Sequence, residues 1–131
     1  MQAVSPSLYQ HAELTHEIIA AGIEVHRYLG AGLLESAYCA CLEHEFELRG
    51  VRVAREQPVG LQYKGLVLER AFRADFVVDE KVVVEVKAVD RLEPVHDAQL
   101  LTYLKLRCLS VGLVLNFNVP SLRQSIRRLV R

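Results

Sequence analysis

Cysteine is scarce in this chain: Cys39, Cys41 and Cys108 are the only three among 131 residues. They form no CxxC pair and their count is odd. This speaks against a disulfide framework and against a cysteine-held zinc, and fits free thiols in a reducing compartment. Long hydrophobic runs are missing too, since none approaches the ~20 apolar residues of a membrane span. The start, Met1-Gln-Ala-Val-Ser-Pro6, has neither the charged nor the apolar region of a signal peptide. A cytoplasmic protein with no membrane partner is the expectation. An excess of one charge is also lacking, with 16 basic against 16 acidic residues, and this disfavours a protein that coats nucleic acid by bulk charge. The balance is uneven along the chain, however. Asp97 is the last acid, and residues 98–131 carry Lys105, Arg107, Arg123, Arg127, Arg128 and Arg131, so that segment is +6 and residues 1–97 are −6.

What is present describes one domain over residues 1–131, since a chain of this length buries roughly two-thirds of its unfolded surface in a single core. No repeat, linker or low-complexity segment interrupts it. From Ser5-Pro6 to Leu29 the apolar residues Leu14, Ile18, Ala21, Val25 and Leu29 recur at helical spacing, with Gly30 as the stop. Gly30-Ala31-Gly32 is only a partial GxGxxG: it follows a helix, and Glu35 stands at the third glycine. A second helix is expected over Leu33–Arg49, ending at Gly50. On its projection Glu35 falls at the edge of a broad apolar arc, where a carboxylate loses hydration unless it is compensated. The helix dipole acting on a first-turn acid is the simpler account of it. Short β runs follow at Val51–Ala54, Val59–Tyr63, Leu66–Glu69, Ala71–Val78 and Lys81–Val89. Gly60 and Lys64-Gly65 punctuate them. The run Val82-Val83-Val84 with Val86 reads as a central strand covered on both faces. A third helix over Val95–Arg107 and a buried strand over Val111–Phe117 come next, and Ser121–Arg131 reads as a short strand or a final helical turn.

Glu85 and Lys87 interrupt the central strand on one face, and Asp75 sits inside the apolar run Ala74–Val78. A hairpin with the three-residue turn Asp79-Glu80-Lys81 sets Asp75 opposite Glu85. A two-residue turn pairs Asp75 with Val84 and sends Glu85 to the other face. Facing carboxylates repel unless one is protonated or a cation lies between them, and hard oxygen ligands suit Mg²⁺ or Mn²⁺. Lys87 could then orient a water or help deprotonate it, and steady charge on a phosphate. Charged residues on a solvent-facing strand would produce the same spacing. On the third helix, Leu100, Leu101, Leu104 and Cys108 read as the core stripe. His96, Gln99 and Tyr103 form a polar and aromatic stripe elsewhere, either lining a site or simply solvated.

Taken in order, Glu35, Asp75, Glu85-Val86-Lys87 and Gln99-Leu-Leu-Thr-Tyr103 resemble the PD-(D/E)XK nuclease superfamily, specifically its small bacterial and archaeal GxxExxY proteins. Gly32-Leu-Leu-Glu35-Ser-Ala-Tyr38 carries the name-giving motif. Glu24–Gly30, Tyr63-Lys-Gly65 and Gly112–Phe117 are similar as well. The resemblance implies an α/β (α+β) restriction-endonuclease-like αβββαβ core, a central mixed sheet flanked by helices. It implies Mg²⁺ or Mn²⁺ held by Glu35, Asp75 and Glu85, Lys87 serving the water, and Gln99 and Tyr103 lining the site and touching the nucleic-acid backbone. Ala74 stands where proline is common in the superfamily, and Ser121–Arg128 lacks the Asp-Gly pair frequent in the family. The function expected is metal-dependent hydrolysis of phosphodiester bonds in DNA rather than RNA. A binding or regulatory module on the same fold and a small-molecule phosphohydrolase are the alternatives. Because the catalytic edge is acidic, Arg107, Arg127 and Arg128 are the expected contacts to nucleic acid. The oligomeric state stays open, a homodimer included.

Overall fold

The β-branched run Val82–Lys87 forms the middle strand of a five-stranded sheet, where side chains on both faces are removed from water. The computed structural model describes residues 10–131. The elements are α1 (Ala12–Leu29), α2 (Glu35–Leu48), β1 (Val53–Tyr63), β2 (Leu66–Val78), β3 (Val82–Lys87), α3 (Pro94–Arg107), β4 (Val111–Asn116), a 3₁₀ turn (Leu122–Ser125) and β5 (Ile126–Val130). The sheet order is β1-β2-β3-β4-β5, with β3 and β4 parallel and the other neighbours antiparallel. The single parallel pair is the one joined through α3, because a parallel neighbour needs a crossover rather than a tight turn. This is the expected mixed sheet flanked by helices.

Period-two alternation splits the core into two layers. Phe76, Val78, Val82, Val84, Val86, Leu113 and Leu115 pack with Ile18, Ala21 and Val25 of α1 and Tyr38, Leu42 and Phe46 of α2. On the other face Val77, Val83 and Val114 pack with Leu100, Tyr103 and Leu104 of α3. The close seating of α3 depends on Gly112. A Cβ there would lie 2.7–3.0 Å from three side-chain carbons of Leu100, which is itself fully buried and has nowhere to retreat. Gly112→Ala is therefore expected to destabilise the fold by about 1–3 kcal/mol, seen as a lower urea midpoint at unchanged m-value.

Several boundaries differ from the expectation. The start of the first helix at Ser5-Pro6 lies outside the described residues; within them the helix begins at Ala12, after a turn at Gln10 and His11. The four short β runs expected before Val78 merge into two long strands. Gly60 does not break β1: its ideal Cβ would meet the Leu68 carbonyl oxygen at 2.9 Å, and the register shifts between Val59 and Leu61. This glycine permits a close backbone approach at an irregularity inside the ladder instead of ending it. Both readings of the tail occur in succession, the 3₁₀ turn and then β5. On α3, Leu101 is 41% exposed and Cys108 is an exposed C-cap residue, so neither belongs to the core stripe. Tyr103 does belong to it, and His96 closes a capping box, its Nδ1 accepting the Glu93 N–H at 2.9 Å.

Candidate active site

β2 and β3 pair at only three positions, Phe76↔Val84, Val77↔Val83 and Val78↔Val82. Residues 79–81 are left as the three-residue turn, in which Asp79 and Glu80 both have left-handed backbone. One step past the last pair the same register sets Asp75 opposite Glu85, and there side chains replace the ladder. Asp75 Oδ2 accepts the Val86 N–H at 2.8 Å, and Glu85 Oε1 accepts the Asp75 N–H at 3.4 Å. The strands fork at this point, and each carboxylate accepts a backbone N–H of the opposite strand. Across β1, the residue between the pairs Arg55↔Phe76 and Gln57↔Ala74 is Glu56, whose φ of 54° is uncommon for a non-glycine residue.

Glu85 is 5% exposed. Burial, then the charge of Asp75, push its carboxyl up to about 9, and Lys87 opposes the shift only in part. At neutral pH the carboxylate pair therefore retains a proton, the outcome expected when two acids share a poorly hydrated site. Lys87 ends β3 on the same face as Glu85 and is half-buried. Its carbonyl accepts the Phe117 N–H at 2.9 Å, which ties the end of β3 to the chain leaving β4.

Glu35, the first residue of α2, is exposed rather than held in the apolar arc, and its Oε1 accepts the Ala88 N–H at 3.3 Å. The loop before it is organised by Tyr38, one helical turn on. The fully buried Tyr38 ring stacks on Phe117 with centroids 4.6 Å apart. Its hydroxyl donates to the Gly30 carbonyl at 2.6 Å and accepts the Leu33 N–H at 3.2 Å. The spacing Gly32-x-x-Glu35-x-x-Tyr38 thus has a local physical basis, since the tyrosine shapes the loop from which the glutamate emerges.

Sequence reasoning missed Asn116, which is fully buried at the end of β4. Its Oδ1 accepts the N–H groups of Val89 at 3.0 Å and Asn118 at 3.3 Å. Its Nδ2 donates to the Val89 carbonyl at 2.9 Å and to Ser125 Oγ at 3.1 Å. The segment leaving Lys87 is held by this amide. The available signal was an amide closing the apolar run Val111–Leu115, a position where burial demands partners.

From α3, the Tyr103 ring meets Phe72 edge-to-face at 5.1 Å. Burial first, then the charges of Glu85 and Asp75, push its hydroxyl up to about 12, so it lies within electrostatic reach of both acids. Gln99 is half-buried one turn earlier. Arg107 is exposed at the far end of α3, Nη1 lying 3.5 Å from the Pro58 carbonyl of β1. The two arginines of β5 are engaged within the fold. Arg127 pairs with Asp97 at 2.6 Å and also donates to the Leu92 carbonyl, while Arg128 donates to the Gln10 carbonyl. The structure thus brings Asp75, Glu85, Lys87 and Tyr103 together, sets Glu35 at the neighbouring Ala88, and leaves Arg107, Arg127 and Arg128 outside this group. Among the described residues no three His, Cys, Asp or Glu side chains gather closely enough to hold a metal ion, so the donor set in place is the pair Asp75 and Glu85.

Among the described residues no helix is long and apolar enough to cross a membrane. Searches of curated proteins and of solved structures give no match. A family model described as the PD-(D/E)XK nuclease superfamily matches residues 12–129, running from the first residue of α1 into β5 and taking in the fork with Asp75, Glu85 and Lys87. With nearly the whole described chain matched, on a mixed sheet of the kind that this core requires, the chain belongs to the PD-(D/E)XK nuclease superfamily.

Proposed function

We propose that this protein is a metal-dependent nuclease of the GxxExxY type that hydrolyses phosphodiester bonds in DNA rather than RNA, residues 1–131 working as one domain. The observation that carries this reading is the fork itself: two carboxylates facing each other, one of them pushed up to about 9, with a lysine on the same face. A pair that cannot hold both charges unaided suits a divalent cation, and its oxygens match the preference of Mg²⁺ or Mn²⁺. Asp75 and Glu85 would hold the ion, with Glu35 the third carboxylate of the family pattern. When bound, the ion supplies Lewis acidity toward the phosphate and an acidified water. Lys87 would orient an attacking water, or take part in its deprotonation, and would offset negative charge developing on the phosphate. Tyr103 and Gln99 line the α3 side and touch the substrate backbone. Tyr38 and Asn116 are positioning residues, the first for the loop before Glu35 and the second for the segment after Lys87.

One observation favours a second reading, a nucleic-acid-binding or regulatory module. Both carboxylates already serve the fold by capping backbone N–H groups, and no third acid joins them among the described residues. Incubating the purified protein with supercoiled, linear and single-stranded DNA and with RNA separates the two. Cutting that needs Mg²⁺ or Mn²⁺, stops with chelator and is lost in Lys87→Ala is the expected result. Binding without cutting by the wild type would establish the module instead, and equal cutting by Lys87→Ala would remove the lysine's role.

A further inference from the structure

The paired hairpin of β1 and β2 is far longer than its neighbour in the sheet. β2 has 13 residues, yet only Phe76–Val78 pair with β3. From Gln57 to Ala74 the hairpin therefore continues as two strands beyond the fork, its base at Val59, Phe72 and Ala74 packed against α3 and its far end projecting as an arm. Its tip exposes Tyr63, Leu66, Val67 and Leu68, at 61%, 55%, 59% and 43%, although a free hairpin end gains nothing by displaying apolar side chains to water. Its shaft carries cations. Arg70 and Arg73 are exposed, form no ion pair among the described residues, and line one concavity of about 390 Å³ with Glu56, Pro58 and Phe72. Arg107 of α3 reaches the carbonyl of Pro58, the residue registered opposite Arg73. Even with Glu56 and Glu69 counted against them, these three arginines leave the shaft positive.

We propose that this arm is a nucleic-acid clamp, with Arg70, Arg73 and Arg107 on the phosphates and the Tyr63–Leu68 tip against sugars or bases. The inference rests on the nuclease reading and specifies where its substrate is held. A polyanion brought to an acidic fork needs positive charge nearby that is not already neutralised. On β5 the arginines are committed, Arg127 to Asp97 and Arg128 to a main-chain carbonyl, and Arg131 follows the opposite edge strand of the sheet. Arg73, by contrast, precedes Asp75 by two residues on the same strand. The Tyr63 ring has the Lys64 ammonium 5.4 Å from its centroid, so the tip joins a stacking surface to a cation, the combination that holds single strands without reading sequence.

The test measures binding of fluorescein-labelled duplex DNA, single-stranded DNA and RNA to the full chain in chelator, across a range of salt concentrations. Arg70→Ala/Arg73→Ala is expected to bind more weakly and to flatten the slope of log affinity against log salt by about two phosphate contacts. Arg127→Ala/Arg128→Ala should leave that slope where it is. Leu66→Ser/Val67→Ser is expected to lower affinity at an unchanged slope, because its contacts are uncharged. An unaltered slope in the arm variant, with a wild-type melting temperature and intact wild-type cutting, overturns the clamp and leaves the nuclease reading standing. Wild-type protein that neither binds nor cuts any of the three overturns both. A tip variant that turns a wild-type dimer into a monomer without loss of nucleic-acid affinity assigns the tip to a second copy of the chain, and the clamp falls with it.

Discussion

Glu85→Gln is expected to raise the stability of the metal-free protein at neutral pH, to remove most of its pH dependence between pH 5 and 9 and, on the proposed nuclease function, to abolish cutting. The fold holds the Glu85 carboxyl near 9 against an ordinary value of 4.5, first through burial and then through the Asp75 charge. The folded state therefore binds this proton more tightly than the unfolded state does. Its contribution to stability is complete below pH 4.5 and is lost as the pH rises from there toward 9. By pH 7 the loss amounts to about 3 kcal/mol. Glutamine keeps the shape and an oxygen for the Asp75 N–H, but has no proton to lose and adds no negative charge beside Asp75. A gain in melting temperature of roughly 5–15 °C at pH 7 follows for a domain of this size. Melting curves of both proteins in chelator from pH 4 to 9 measure it: they should converge at the acidic end and separate progressively above. Parallel curves would show that Glu85 carries no such burden.

Asn116→Ala is expected to destabilise the fold by about 2–4 kcal/mol and, on the proposed nuclease function, to slow cutting, although the amide touches none of the acids. Its removal leaves the N–H and C=O of Val89, the N–H of Asn118 and the Ser125 hydroxyl without their partner, and buried polar groups so abandoned cost roughly 1–3 kcal/mol each when water cannot replace the lost bond. The segment freed is the one on which Glu35 rests at Ala88 and from which Lys87 emerges. A positioning role predicts a fall in kcat with little change in substrate affinity, since the residues thought to grip the substrate lie elsewhere. Asn116→Asp keeps the acceptor and loses the donor, so it should retain the bonds from Val89 and Asn118 and forfeit the one to the Val89 carbonyl, while the Ser125 hydroxyl can turn to donate to the new carboxylate. Denaturant melts with binding and single-turnover rates separate these outcomes. Unchanged rates in a folded Asn116→Ala would confine the residue to stability.

The central strand, the amphipathic helices and the shared face of Glu85 and Lys87 were legible in the chain alone because they rest on local periodicity. Period two places Glu85 and Lys87 on one face, and a three-residue turn at 79–81 then brings Asp75 opposite Glu85. Choosing that turn over a two-residue one is a matter of backbone geometry, which only the fold supplied. Whatever depends on what a side chain meets from a distant element was not legible. Arg127 read as a contact to nucleic acid, and that its ion-pair partner is Asp97, 30 residues earlier, appears only in the fold. Tyr103 read as off the core until Phe72 and Val83 packed against it. Glu35 read as an edge-of-core acid, yet sits exposed against the Ala88 N–H. The projecting arm was hidden for the same reason: its sequence is ordinary strand, and only the shortness of β3 beside it leaves Arg70 and Arg73 on a stretch of β2 that pairs with β1 alone.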